Sequence, residues 1–237
     1  MTETERMNAG LIYDCTKNEI MSTQTQYVHH MQEYNTLGLG HEKRMEELLK
    51  LMFAEVGEET YIQPPFYANW GGHHVHLGKC VFANFGTTFV DDGNIYIGDY
   101  VMIAPNVTIA TAGHPIYPPL REQLLQYNAD VHIGRNVWIG AGSVICPGVT
   151  IGENTVIGAG SIVVNDIPAN VVAVGNPCRV MRKINELEQK LFRLILIQTV
   201  FFAYSFNFCD KRHTEKEEEH RSCPTENKAE HRTACIN

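Results

Sequence analysis

An aliphatic residue returns at every sixth position through the middle of this chain. The series runs Ile97, Ile103, Ile109 and, in phase after an interruption, Ile133, Ile139, Ile145, Ile151, Ile157 and Val163. A small residue often follows at once, as at Gly98, Ala104, Gly134, Gly140, Gly152 and Gly158. Small or β-branched residues recur near the fifth place at Val107, Val137, Ser143, Val149, Thr155 and Ser161. Internal repetition at a fixed short period decides the architecture before any propensity argument.

Six residues are too few for a helical hairpin but enough for one short strand and one turn. Three hexads then close a triangular coil, and successive coils stack as parallel strands. The aliphatic points inward onto its counterparts above and below. The small residue beside it is expected to let the backbone turn a corner, which glycine tolerates best. Each coil buries its apolar row only against neighbouring coils, so several are needed, and the repeat supplies them. The fold class predicted is mainly β, a parallel β-helix with a helical N-terminal segment.

The repeat extends upstream through Leu77-Gly78, Ala83-Asn84 and Phe89-Val90, with two extra residues at Asp91-Asp92-Gly93-Asn94. Downstream of Ile109 it is interrupted. Residues 115–132, equal to three hexads, read as a loop thrown out from the solenoid, because Pro115, Pro118 and Pro119 cannot join an inner ladder. Long loops in compact domains are usually functional or disordered. This one opens at Ala112-Gly113-His114-Pro115, which makes His114 the candidate catalytic residue.

Residues 1–60 read as a helical cap, 61–187 as the solenoid and 188–237 as an appendage outside the core. Within the cap, Met45, Leu48, Leu49, Met52, Phe53 and Val56 form a helix-period stripe from Glu42 to Val56, with Gly57 as its stop. Met181 to Leu191 reads as a short helix. Leu191 to Phe208 is apolar apart from Arg193, Gln198 and Asn207, and a charged, His-rich tail follows. The 191–208 stretch is near the minimum for a membrane span, so a tail anchor stands beside an amphipathic appendage or a terminal divergence. The tail has the composition of a solvated, disordered segment.

A net charge of −8 argues against a general nucleic-acid-binding surface. The seven cysteines are scattered, with no CxxC pair, and read as reduced thiols. Met1 to Arg6 is polar and acidic, without the apolar core of a signal peptide, and the expected location is cytoplasmic.

Longer motifs go beyond the repeat. Asn84-Phe85, Val90-Asp91-Asp92, Ile103-Ala104-Pro105-Asn106-Val107, Gly113-His114-Pro115, Asn136-Val137-Trp138-Ile139-Gly140, Pro147-Gly148-Val149-Thr150-Ile151-Gly152 and Gly158-Ala159-Gly160-Ser161-Ile162-Val163 occur in that order, followed by Gly175-Asn176-Pro177-Cys178-Arg179-Val180. In these residues the chain resembles the maltose and galactoside O-acetyltransferases, over roughly residues 5 to 187. The repeat alone is shared by many acyltransferases and some non-enzymes. The repeat with Asn84, Asp92, His114 and Trp138 in register is far more specific.

The resemblance implies a left-handed coil, an exception to the usual crossover hand, and a homotrimer with active sites between subunits. It implies direct acetyl transfer from acetyl-CoA to a hydroxyl of a mono- or disaccharide, with His114 as general base. A backbone N–H near Ala141 would stabilise the oxyanion. Asp14, Asn69, Asn84 and Asp92 match acceptor-side positions. Asn84, Trp138, Ala141, Ala159, Arg179 and Arg182 match the acetyl-CoA side, the arginines near the nucleotide phosphates. No metal is expected. The bland alternatives are a corner asparagine for Asn84, a turn residue for Asp92, a helix cap for Asp14 and solvated charge for the arginines.

Several positions depart from the family pattern. Phe82 stands where tyrosine is common, Asn69 where Asp or Ser is usual, and Gln126 where some relatives carry Glu. Val164-Asn165 replaces Thr-Lys beside the CoA path, and Trp70-Gly71-Gly72-His73-His74 is one residue longer. These departures bear on the acceptor more than on the reaction. The competing readings are acetyl transfer to a non-sugar acceptor, a zinc enzyme using His73, His74 and His76, and a non-catalytic hexapeptide-repeat scaffold.

Overall fold

The six-residue step becomes three columns of stacked side chains, one on each face of a parallel β-helix. The computed structural model describes residues 1–38 and 40–185; the expected appendage at 188–237 lies outside the described residues. On the first face Val56, Leu77, Ile97, Ile133 and Ile151 stand in register, and Ile167 is bridged to Ile151. The second face stacks Ile62, Ala83, Ile103, Ile139, Ile157 and Ala173. The third stacks Ala68, Phe89, Ile109, Ile145 and Val163. All of these except the partly covered Val56 are buried. Val107, Val137, Ser143, Val149, Thr155 and Ser161, the residues near the fifth place, are buried as well and fill the coil two positions before each aliphatic.

The corners work differently from the expectation. The glycines after the aliphatics on the first face do not have left-handed backbones. Instead, a Cβ on Gly98 would lie 2.8 Å from the Arg135 nitrogen, one on Gly134 2.6 Å from the Glu153 nitrogen, and one on Gly152 2.3 Å from the Ala169 nitrogen. Close approach of the next coil excludes a side chain there. The left-handed turn comes two residues later, at Cys80, Tyr100, Asn136, Asn154 and Asn170, with φ near 54° to 60°. Asparagine tolerates that conformation better than most residues. Three of these also form a ladder: Asn136 Nδ2 donates to Asn154 Oδ1 at 3.0 Å, and Asn154 Nδ2 to Asn170 Oδ1 at 3.1 Å.

Helices α1 (Glu3–Asn8), α2 (Asn18–Thr36) and α3 (Glu42–Met52) precede the coils, with a short strand β1 (Tyr13–Asp14) between the first two. A reciprocal capping box opens α1: Thr2 Oγ1 accepts from the Glu5 N–H at 3.0 Å, and Glu5 accepts from the Thr2 N–H at 2.8 Å. Met45, Leu48, Leu49 and Met52 of α3 and Met31 and Tyr34 of α2 share one apolar core with the first coils. Full burial of such side chains contributes about 1.5–3 kcal/mol each. The half-exposed Arg44–Glu33 pair, at 2.8 Å, contributes at most about 1 kcal/mol. Apolar burial therefore fastens the cap to the end of the solenoid.

Three expectations about the ends are corrected. Helix α3 stops at Met52, and Phe53 turns extended to pack against Phe66 and Phe89 at ring distances of 5.7 and 6.1 Å. Val56 thus belongs to the first coil, and Gly57 is a corner glycine whose Cβ would sit 2.4 Å from the Gly78 carbonyl carbon. The solenoid begins inside the stretch read as the cap. At the other end Met181 to Lys183, read as the start of a helix, belong to the strand Arg179–Lys183, while residues 186–191 of that expected helix lie outside the described residues. That strand pairs antiparallel with Val171–Val174 and covers the edge of the second face.

The interruption is also more ordered than a bare loop. The chain leaves the solenoid at Ala112 and returns at Ala129, whose N–H donates to the Thr111 carbonyl at 2.9 Å. Residues 131–132, read as part of the loop, already lie in the first face, where His132 pairs with Tyr96. Inside the excursion Ala112–Gly113 pairs antiparallel with Leu125–Asn128, and β1 adds on the other edge of that strand. Pro118 and Pro119 open the short helix Pro118–Arg121, where a missing N–H costs nothing. No helix among the described residues is long and apolar enough to cross a membrane.

Gly152→Ala places a methyl against the backbone of the following coil, so we expect a loss of about 2–3 kcal/mol in unfolding free energy. Chemical denaturation of the variant checks this, and a midpoint equal to wild type refutes the close-approach explanation.

Candidate active site

His114 follows directly on the Ala112–Gly113 strand, and the local geometry fixes its ring. Its Nδ1 lies 2.8 Å from the Leu125 carbonyl oxygen. A carbonyl only accepts, so Nδ1 carries the hydrogen and the neutral ring presents the Nε2 lone pair outward. A Cβ on Gly113 would lie 2.7 Å from the tip of the Tyr127 ring, so that half-exposed side chain would have to swing aside to admit one. Beyond the histidine, Arg121 Nη1 donates to the Pro115 and Ile116 carbonyls at 3.2 and 2.8 Å and holds the turn. The histidine itself is exposed.

Three of the acceptor-side candidates lie around the same edge of the prism, between the third and first faces. Asn69 Nδ2 donates to Asp92 Oδ2 at 2.8 Å, and Trp70 Nε1 reaches Asp92 Oδ1 at 3.4 Å. Asp14 pairs across β1 with Leu125, the residue whose carbonyl holds His114. Its carboxylate serves a local turn: it accepts from the Thr16 hydroxyl at 2.6 Å and the Thr16 N–H at 3.0 Å, and meets Lys17 Nζ at 2.9 Å. The Thr16 hydroxyl and then Lys17 bring its pKa down to about 2. A polar cavity of about 480 Å³ opens beside this edge, between Asn8 and Gly10 at the end of α1 and the corner residues His74, Asp92, Asn94, Asn128 and Asp130.

The remaining candidates are elsewhere. Asn84, Ala141 and Ala159 sit at the edge between the second and third faces, just after Ala83, Ile139 and Ile157 of the second face. Asn84 Oδ1 accepts from the Phe85 N–H at 2.9 Å. Trp138 stands on the outside of the second face, 50% exposed, between Met102 and Val156. Phe82 lies on that face too, stacked on Tyr61. Arg179 and Arg182 are exposed on the strand that extends the face through Val171–Val174. The chain therefore divides the candidates: His114, Asp14, Asn69 and Asp92 lie about one edge, and Asn84, Ala141 and Ala159 at another, with Trp138, Arg179 and Arg182 on the adjoining second face.

Sequence reasoning missed residues that build the first edge. Asp91 is fully buried; its Oδ1 accepts from the Trp70 N–H at 2.8 Å and its Oδ2 from the Gly72 N–H at 3.0 Å. Its backbone carbonyl meets His74 Nδ1 at 2.6 Å. Burial pushes the Asp91 carboxyl up to about 7, against the two N–H bonds that favour the anion. Tyr13 and Asn128, missed as well, form a buried polar group with Gln126, the position noted as departing from the family pattern. Alternation was the signal for Asn128: it is two places from Gln126 on one strand and faces the same side. The three histidines weighed as zinc ligands go separate ways. His73 stacks on Tyr27 at 3.8 Å, His74 binds the Asp91 carbonyl, and His76 stacks on Tyr96 at 4.6 Å.

Comparison with known proteins gives a consistent family. Residues 130–165 match the family model described as bacterial transferase hexapeptide (six repeats), and residues 6–57 match the maltose acetyltransferase hexapeptide capping motif. The chain is 47% identical to a galactoside O-acetyltransferase of Lactococcus lactis, over 79% of this chain and 91% of the relative. It is 45% identical to the galactoside O-acetyltransferase of Escherichia coli, over 81% and 94%. Among solved structures, a galactoside acetyltransferase in complex with coenzyme A superposes with a TM-score of 0.77 at 46% identity, covering 80% of this chain and 94% of that one. A maltose O-acetyltransferase from Clostridium difficile gives 0.76 at 42% identity, covering 78% and 99%.

The Asp91 carboxyl yields a stability prediction. Its folded pKa, about 7, lies above the unfolded value near 3.8, so the folded state keeps the proton longer. Stability from this group is full below about pH 4 and declines as pH rises through 7, by up to about 4 kcal/mol. We expect Asp91→Asn to gain on wild type progressively from pH 4.5 to pH 7.5 in denaturant titrations. A constant difference across that range would mean Asp91 is ionised throughout.

Proposed function

This chain belongs to the galactoside and maltose O-acetyltransferase family of hexapeptide-repeat acyltransferases, and from that premise we propose that it moves acetyl from acetyl-CoA directly to a hydroxyl of a mono- or disaccharide, with His114 as general base. The observation that carries the reading is the bond from His114 Nδ1 to the Leu125 carbonyl. It leaves Nε2 as the proton acceptor, and a sugar hydroxyl is a poor nucleophile until its proton is removed.

In the proposed step, Nε2 takes the acceptor proton as the oxygen attacks the thioester carbonyl carbon. The carbonyl π electrons move onto oxygen. The Ala141 N–H, which donates to no backbone acceptor among the described residues, stabilises that oxyanion. Collapse expels the CoA thiolate, and the imidazolium returns the proton to sulfur. Asn69 and Asp92, already bonded to each other, present polar atoms to acceptor hydroxyls. The donor lies along the second face, its acyl end near Asn84 and Ala141, its arm past Trp138 and Ala159, and its phosphates toward Arg179 and Arg182.

The division of these residues between two edges of one prism supports a homotrimer in which His114 of one subunit meets the acetyl-CoA side of its neighbour. A closed ring of identical subunits repeats that pairing at every interface. The acceptor class follows the relatives' names, which are galactoside and maltose acetyltransferases.

Thiol release from acetyl-CoA, with glucose, maltose, a galactoside and serine as acceptors, tests the chemistry. We expect sugar-dependent release that falls by about 100-fold or more in His114→Ala. No sugar-dependent release from a folded protein sinks the sugar-transferase reading. Subunit mixing tests the shared site. Asn84→Ala and His114→Ala proteins, each nearly inactive alone, should regain activity at about a quarter of their sites when unfolded and refolded together. No recovery in a mixed oligomer places both residues in one subunit's site.

A further inference from the structure

The N-terminal strand reaches the site by a route that the proposed chemistry does not use. Tyr13 is 1% exposed, and its hydroxyl is bonded to two nearly buried polar side chains. Gln126 Nε2 donates to the Tyr13 oxygen at 2.5 Å, and the Tyr13 hydroxyl donates to Asn128 Oδ1 at 3.4 Å. Asn128 Nδ2 in turn donates to the Asp92 carbonyl at 2.7 Å. Gln126 and Asn128 are 7% and 8% exposed. These side chains lie on the Leu125–Asn128 strand, and the carbonyl at the start of that strand is the one that holds His114.

The backbone ties the same parts together. Tyr13 pairs with Gln126 and Asp14 with Leu125, while Cys15 Sγ donates to the Leu124 carbonyl at 3.2 Å. Residues 13–15 thus grip residues 124–128 from outside, and Asn128 fastens the strand to the solenoid corner. Burial, with Asp92 and Cys15 nearby, raises the Tyr13 hydroxyl above its ordinary value and keeps it a neutral donor.

We propose that Tyr13 is a positioning residue for His114: through Gln126 and Asn128 it fixes the strand whose Leu125 carbonyl sets the tautomer and direction of the imidazole. The proposal rests on the reading of His114 as general base. Removing the Tyr13 hydroxyl takes away the short bond from Gln126 Nε2 and one of the two donors to Asn128 Oδ1, leaving only the 3.4 Å contact between Gln126 and Asn128 to hold the group. The strand then relaxes, and the Leu125 carbonyl moves relative to Nδ1. The acetyl-CoA side lies along the other edge of the prism and is untouched.

The test is Tyr13→Phe in the full-length protein, with steady-state kinetics and ¹⁵N NMR of the His114 ring. We expect kcat to fall about tenfold with the KM for acetyl-CoA unchanged. The two ring nitrogens, well separated when the proton sits on Nδ1, should move toward each other as tautomers mix. Val171→Ala, a core substitution remote from this edge, serves as a control for stability loss. Wild-type kcat and ring shifts in Tyr13→Phe overturn the proposal. So does an equal fall in kcat in a control of equal thermal midpoint. If Tyr13→Phe does not fold, Gln126→Leu breaks the same group from the other side and is held to the same two outcomes. Should His114→Ala keep full activity, the general-base reading fails, while the ring shifts in Tyr13→Phe still report whether the tyrosine holds the ring.

Discussion

Everything in this molecule depends on one coil lying flat upon the next. Each inward aliphatic is covered only by its counterparts one coil above and below. Burial of such side chains, about 1.5–3 kcal/mol apiece, is gained only if the coils keep their spacing. The corner glycines enforce that spacing from the other side, since the next backbone occupies the space their Cβ atoms would take. Attraction in the interior and close approach at the corner set the same distance. The result is a rigid prism whose faces and edges present side chains at fixed intervals.

That rigidity explains which parts of the fold could be read from residues alone. A period of six with an inward aliphatic is a strong signal because every coil repeats it, and the columns from Leu77 to Val163 follow it. The first coil, at Val56, Ile62 and Ala68, was hidden because its first member also fits the helical stripe of α3. Both periodicities share Val56, and the choice between them is made at Phe53, which leaves the helix to pack against Phe66 and Phe89. The strand at Arg179–Lys183 was misread for a related reason. Its residues are all exposed, so no burial pattern marks it, and the partner strand Val171–Val174 decides its conformation.

The site was legible to a different degree. His114 could be found because it breaks a regular pattern, and Asp92 only through the family resemblance. Their support could not. Tyr13 is more than 110 positions from Gln126 and Asn128, and nothing in the local sequence marks so distant a pairing. Asp91 was passed over because the resemblance pointed to its neighbour, and nothing local marks which of two adjacent carboxylates is buried. The separation of the candidates onto two edges was equally hidden, since residues six apart along the chain lie on different faces, and only the closing of the coil shows which ones are neighbours.

The excursion leaves at Thr111 and rejoins at Ala129, and those two residues are themselves joined by a hydrogen bond across the gap. The solenoid is thus already closed beneath the hairpin, as if residues 112–128 had been spliced into an intact coil. A hairpin seated in this way can lengthen, shorten or change its composition without altering the register of any strand in the prism. His114 is carried by an insertion whose length can change without shifting the strand register of the prism, so the surface around it is separable from the scaffold that holds it.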